Sequence, residues 1–116
     1  MVSSNTENSP VDAETIETLR ADGPLLGELK ELFVTEAATQ LSAMAEGNRQ
    51  GDAKTVAMAA HRLKGSAVTF GAHEMQRICI ELEEGAKSGA LNGTQEKIQH
   101  LSAECERVKR ALDEVV

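Results

Sequence analysis

One stretch of the chain combines, at helical spacing, residue types that could do chemistry: His61, Lys64 and Gly65. Around them Val56, Ala60, Leu63 and Ala67 recur at intervals of 4, 3 and 4 residues. At 100° per residue these four fall within about 60° of one another, and His61 points roughly 120° away from their centre. The imidazole is therefore expected to face solvent beside the edge of a core. Ala57 and Gly65 lie one turn before and after it, with Lys64 three residues on and Val68 seven, all near its side of the helix. A glycine in mid-helix costs about 1 kcal/mol relative to alanine. Space cleared beside the ring, for a bulky group or an approaching partner, would offset that cost. Neutral imidazole is nucleophilic and a nearby ammonium balances incoming negative charge, so the trio suits acceptance of a phosphoryl group. A single exposed histidine is more often an ordinary surface residue. The small Ala57, the bare Gly65 and the cationic Lys64 set this one apart.

The elements that must position these residues follow from apolar periodicity. Segment 1–10 is rich in Ser and Asn and reads as disordered. A short first helix fits Asp12 to Arg20, with Val11, Ile16 and Leu19 on its apolar side, and Ala21-Asp22-Gly23 breaks the chain. Pro24 suits the first position of a second helix, expected to run to Ala45 on the stripe Leu25, Leu29, Phe33, Ala37, Gln40, Leu41 and Met44. Glu46 to Gly51 reads as a loop. Asp52 is a good cap for a third helix that reaches about Phe70 and stops at Gly71. A fourth helix, Ala72 to Ser88, would bury Met75, Ile78, Cys79, Leu82 and Ala86. After a loop from Gly89 to Gly93, Thr94 is expected to cap a last helix with Ile98, Leu101, Cys105, Val108, Leu112 and Val115 as its seam. No alternating polar–apolar run suggests a strand. The expected fold class is all-α, an antiparallel up-down-up-down four-helix bundle over residues 11–116 with a short additional N-terminal helix.

Composition narrows the function classes. The 116 residues carry 12 Lys+Arg against 19 Asp+Glu, a net charge of −7. With no basic excess, and with Phe33 and Phe70 as the only aromatics, a nucleic-acid partner is excluded. No apolar run approaches the roughly 20 residues a membrane span needs, and no secretory signal is visible at the N-terminus, so a cytoplasmic protein is expected. Cys79 and Cys105 fall at core positions, not in a disulfide framework. His73 and His100 have no partner at zinc-site spacing, so no metal site is expected. No glycine-rich nucleotide loop of the GxxxxGK[ST] kind occurs.

The string His61-Arg62-Leu63-Lys64-Gly65-Ser66-Ala67-Val68-Thr69-Phe70-Gly71-Ala72 resembles the signature of histidine-containing phosphotransfer (HPt) domains. That signature is His, any residue, an apolar residue, Lys, Gly and two small residues, with a Gly several positions on. The similarity extends to Leu29–Leu41 and to Gly51-Asp52, and covers about Val11 to Val116. It implies a phosphorelay intermediate of two-component signalling, without ATP-dependent kinase activity. His61 would take a phosphoryl group from an aspartyl phosphate on one receiver domain and pass it to an aspartate on another. The implied partners are response-regulator receiver domains and a sensor (hybrid) histidine kinase. No cofactor is implied on this chain, because Mg²⁺ belongs to the receiver. The closed bundle suggests a monomer.

By the same resemblance Lys64 lies near the phosphoryl group and Gly65 keeps that space open. Ser66 matches a small residue and is expected to pack. Glu83 falls where the family often places Gln beside the active histidine. A carboxylate there could hold the ring N–H and fix the tautomer, yet would repel a phosphoryl group. Lys87 matches a second basic position. Gln76, Ile80, Glu83 and Lys87 form one stripe on the fourth helix. Ile80 and Val68, with Phe33 and Ala57, make the expected apolar docking patch around His61. Two other classes of function fit the sequence less well. An adaptor that docks without carrying phosphate would have no need of the His61, Lys64 and Gly65 trio. An autonomous kinase or phosphatase lacks a nucleotide loop and a metal cluster.

Overall fold

The structure is a computed structural model that describes residues 9–116. The expected disorder of segment 1–10 therefore lies, for residues 1–8, outside the described residues. Five helices follow in order: α1 (Ala13–Arg20), α2 (Leu25–Gln50), α3 (Ala53–Thr69), α4 (His73–Lys87) and α5 (Thr94–Val115). Helices α2 to α5 close into a ring in which α2 packs on α3 and α5, and α4 on α3 and α5, while α1 lies against α2. This is the all-α antiparallel four-helix bundle with an added N-terminal helix. Among the described residues no helix is long and apolar enough to cross a membrane.

Local chemistry sets most of the boundaries. The Asp12 carboxylate caps α1 by accepting from the Thr15 amide and hydroxyl at 2.9 and 2.7 Å. Asp52 does the same for α3 through Thr55, at 3.2 and 2.7 Å. In each case a carboxylate answers first-turn amides that have no helical acceptor.

α2 is longer than its sequence suggests. The segment Glu46–Gln50, expected as a loop, is helical to its last residue. Glu46 accepts from Arg49 Nε at 3.1 Å and from Gln50 Nε2 at 2.6 Å, tying the final turn together. Gly47 is buried, not a breaker, because α3 crosses it closely. A Cβ there would lie 3.0 Å from Thr55 Cγ2 and 3.2 Å from the Asp52 carbonyl oxygen. The helix stops at Gly51, whose φ of 72° suits glycine.

Other expectations shift by one residue: Pro24 is the N-cap of α2 and not its first helical residue, and Ala72 and Ser88 cap α4 from outside it. Leu26, not Leu25, is the buried leucine at the start of α2. Gly93, at φ 76°, is the capping residue of α5; Thr94 is its first helical residue, is buried, and makes no side-chain cap.

The core runs the length of the ring. Val56, Ala60, Leu63 and Ala67 of α3 are fully buried, against Met44, Met75, Leu101, Val108 and Leu112 from the other helices. Phe33 and Phe70 meet edge to face with centroids 5.7 Å apart. Phe33 is only 2% exposed. This corrects its expected place in a docking patch, because the ring is held inside by Phe70.

Candidate functional site on the α3–α4 face

The buried quartet of α3 fixes which way the opposite side points, and His61 lies there with 65% of its side chain exposed. Its Nδ1 lies 3.0 Å from Glu83 Oε2 on α4. Glu83 is itself buried, and two ammonium groups reach it. Lys64 Nζ is 3.1 Å from Oε1, and Lys87 Nζ is 3.1 Å from Oε2. Lys64 comes one turn after His61 on α3, and Lys87 one turn after Glu83 on α4. The antiparallel pairing of two helices is thus enough to assemble all four.

The charge balance follows from these contacts. Burial pushes the Glu83 carboxyl upward, but hydrogen bonds from Lys64, Lys87 and His61 outweigh it and bring the pKa down to about 2. Glu83 is therefore an anion at neutral pH, and an ionised carboxylate can only accept. The proton of a neutral imidazole must then sit on Nδ1, which leaves the Nε2 lone pair on the exposed ring. The repulsion a carboxylate would exert on a phosphoryl group is answered by its two lysines, since the trio of side chains carries one negative and two positive charges. Behind the site, burial pushes the Cys79 thiol up to about 12. It is no competing nucleophile.

Gly65 opens the other side. A Cβ built there meets nothing within 4 Å, so no packing within the chain requires a glycine. Ala57, expected in the apolar docking patch, is instead part of the core, 7% exposed, and only lines a cavity together with Met58, His61, Arg62, Glu83 and Lys87. Val68 is exposed, two turns after His61. Ile80 and Gln76 are half-buried on α4. Gln76 lies seven residues before Glu83, about 10 Å along the helix axis. Among the described residues no hydrogen bond joins it to His61, so it is not part of the imidazole's immediate surroundings.

Three surface residues near His61 escaped the sequence reading. Met58 is 49% exposed one turn before it, and Leu32 of α2 is 66% exposed. Leu32 lines a groove with Arg62, Gly65 and Thr69. The apolar side chain that α2 offers on this side is Leu32, one position from the buried Phe33. Its i, i+3 relation to Leu29 was a usable signal. Arg62, adjacent to His61 in sequence, is the third. Among the described residues no group of three or more His, Cys, Asp or Glu could hold a metal ion.

A four-helix bundle that holds an imidazole outside its core, beside two cations and an open backbone, has the chemistry to accept a phosphoryl group. The sequence model of the Hpt domain family matches residues 28–111, and the chain belongs to that family. It is a histidine phosphotransfer intermediate of two-component phosphorelays. Similar folds are found in histidine-containing phosphotransfer protein B (HptB) from Pseudomonas aeruginosa PAO1, with TM-score 0.85 and 24% identity over 92% of this chain and 94% of that one. The histidine-containing phosphotransfer protein ZmHP2 from maize gives 0.82 and 21%, over 98% and 94%. A putative histidine-containing phosphotransfer protein from rice gives 0.82 and 20%, over 97% and 85%. No curated protein matches the sequence.

Proposed function

We propose that His61 is the phosphoryl-carrying residue. Its Nε2 attacks the phosphorus of an aspartyl phosphate on a receiver domain. The new N–P bond forms as the P–O bond to the aspartate breaks, and the electron pair leaves on the receiver carboxylate. No proton needs to move, because Nδ1 keeps its hydrogen and the ring becomes cationic. Glu83 stabilises that positive charge, while Lys64 and Lys87 stand near enough to turn toward the phosphoryl oxygens. The reverse sequence delivers the group to a second receiver. The receiver supplies Mg²⁺ and this chain no cofactor of its own; it phosphorylates nothing from ATP. A sensor histidine kinase stands upstream, and the module works in the cytoplasm as a monomer.

The observation that carries this reading is the 3.0 Å contact from a buried, doubly cation-paired carboxylate to the inner nitrogen of an exposed ring. The experiment is transfer of radiolabelled phosphate from a phosphorylated receiver domain. Label is expected on the wild type, acid-labile and base-stable, and none on His61→Gln. Label surviving His61→Gln would move the site elsewhere. Binding of the receiver without label on either protein would favour an adaptor.

A further inference from the structure

The cations around His61 are not equally committed. Lys64 and Lys87 both bond Glu83. Arg62, exposed and adjacent to the nucleophile, makes no ion pair or hydrogen bond among the described residues. That sets it apart from most of its kind in this chain. Of six arginines, four bond a glutamate three residues earlier: Arg20 to Glu17, Arg49 to Glu46, Arg77 to Glu74 and Arg107 to Glu104. Arg62 has Ala59 at that place, and Ala59 is buried.

The whole of α3, Ala53 to Thr69, contains no Asp or Glu, in a chain with 19 of them. Glu36 of α2, which lines the same groove, accepts from Gln40 Nε2 at 3.1 Å and makes no ion pair with Arg62. Arg62 lines both the cavity toward α4 that His61 also lines and the groove toward α2 that Gly65 lines. Exposed Met58, Leu32 and Val68 surround the same strip. A guanidinium so placed, ion-paired to no carboxylate among the described residues, is complementary to a carboxylate on whatever seats itself over His61.

Building on the phosphorelay reading above, we infer that Arg62 is a partner-recognition residue. It pairs with a carboxylate on the receiver surface beside the phosphorylated aspartate, and so sets the encounter rate and which receivers are accepted. It does not act on the phosphoryl group, which is the task of Lys64 and Lys87. A charge at the rim of an interface shows itself mainly in association rate and salt dependence.

The test compares wild type, Arg62→Glu, Arg62→Gln, Arg62→Lys and His61→Gln, with phosphorylated receivers of the host as one donor and phosphoramidate, a small donor, as the other. Arg62→Glu should lower kcat/KM for an accepted receiver by roughly tenfold at low salt, with Arg62→Gln intermediate and Arg62→Lys close to wild type. The loss should shrink as salt rises. The rate at saturating receiver and the phosphoramidate labelling of His61 should both stay unchanged. Unchanged kcat/KM in Arg62→Glu, with His61→Gln inactive, overturns this inference and leaves the relay reading standing. Loss of phosphoramidate labelling as well overturns it too, by placing Arg62 at the phosphoryl group. A wild type that no receiver labels, or a labelled His61→Gln, overturns the relay reading and this inference with it.

Discussion

Two glycines within helices divide the molecule into a part shaped by its own packing and a part that its packing does not explain. Gly47 sits where α3 crosses α2, and a Cβ there would press on Thr55 and the Asp52 carbonyl at 3.0–3.2 Å. Gly65 sits one turn beyond His61, and a Cβ there would touch nothing within 4 Å. Both glycines forgo the same helix propensity, about 1 kcal/mol relative to alanine. At Gly47 the close approach of two helices returns it. At Gly65 nothing inside the chain does, and in the relay proposed above the open space serves a phosphoryl group and the protein that brings it. A crowded glycine is a structural requirement; for an uncrowded one beside an exposed imidazole the proposed relay offers a functional reason.

The sharpest way to break that contrast is to fill the open side. Gly65→Gln should leave the fold intact and reduce transfer from a phosphorylated receiver roughly 100-fold, about 2.7 kcal/mol on the barrier. Misplacement of reacting groups by an ångström is enough for such a loss. Thermal unfolding and phosphotransfer measured on one preparation decide the matter. Transfer at the wild-type rate would mean the space is not used.

Glu83 gives the next largest effect, and it depends on pH. Its pKa is about 2 in the folded chain against an ordinary 4.5. A lowered folded-state pKa contributes stability that is complete above about 4.5 and is lost as pH falls toward 2. Glu83→Gln removes that contribution while keeping an acceptor for Nδ1. At neutral pH it should cost about 1.5–3 kcal/mol, the usual worth of hydrogen bonds to a charged group. Its stability should then fall less steeply than wild type between pH 4.5 and 2. Parallel denaturation curves over that window would rule out the ion-paired state of Glu83.

These two sites also show what could be read without coordinates. The outward aim of His61 and the burial of Val56, Ala60, Leu63 and Ala67 were legible because a helix of known period converts spacing directly into direction. The Asp52 cap was legible because its partner, Thr55, is three residues away. The last turn of α2 was not. Gly47 in a polar stretch reads as a breaker until Thr55 is seen to cross it. Periodicity also sets a face only to within one residue, or 100°. That margin separates Leu26 from Leu25 and the exposed Leu32 from the buried Phe33. The charge state of Glu83 depends on Lys64, 19 residues away on another helix. A stripe drawn along α4 holds only the Lys87 half of that pairing, and places Gln76 as near to His61 as Glu83.

Gly47→Ala tests the structural half of the comparison. The neighbours of the new methyl are the Thr55 side chain near its backbone and a main-chain carbonyl, neither of which yields easily. Overpacking of this kind costs about 1–3 kcal/mol, against which helix propensity returns up to 1. A net loss of roughly 1 kcal/mol is expected in urea denaturation, with His61 chemistry unaffected under native conditions. A stabilised Gly47→Ala would show that the α2–α3 crossing has room to spare.

The smallest effect is the most discriminating, because its sign is opposite. Gly65→Ala introduces a methyl that meets no atom of the chain, in a helix whose backbone at this position is ordinary. It should therefore raise stability by about 0.5–1 kcal/mol through propensity and a less flexible unfolded state. The same methyl narrows the approach to Nε2, so transfer from a receiver should slow while the protein melts later. Improvement in one property at the expense of the other is expected only where a glycine is kept for an outside partner. If Gly65→Ala proved both more stable and as fast, the open backbone beside His61 would have no part in the transfer, and the distinction between the two glycines would reduce to packing alone.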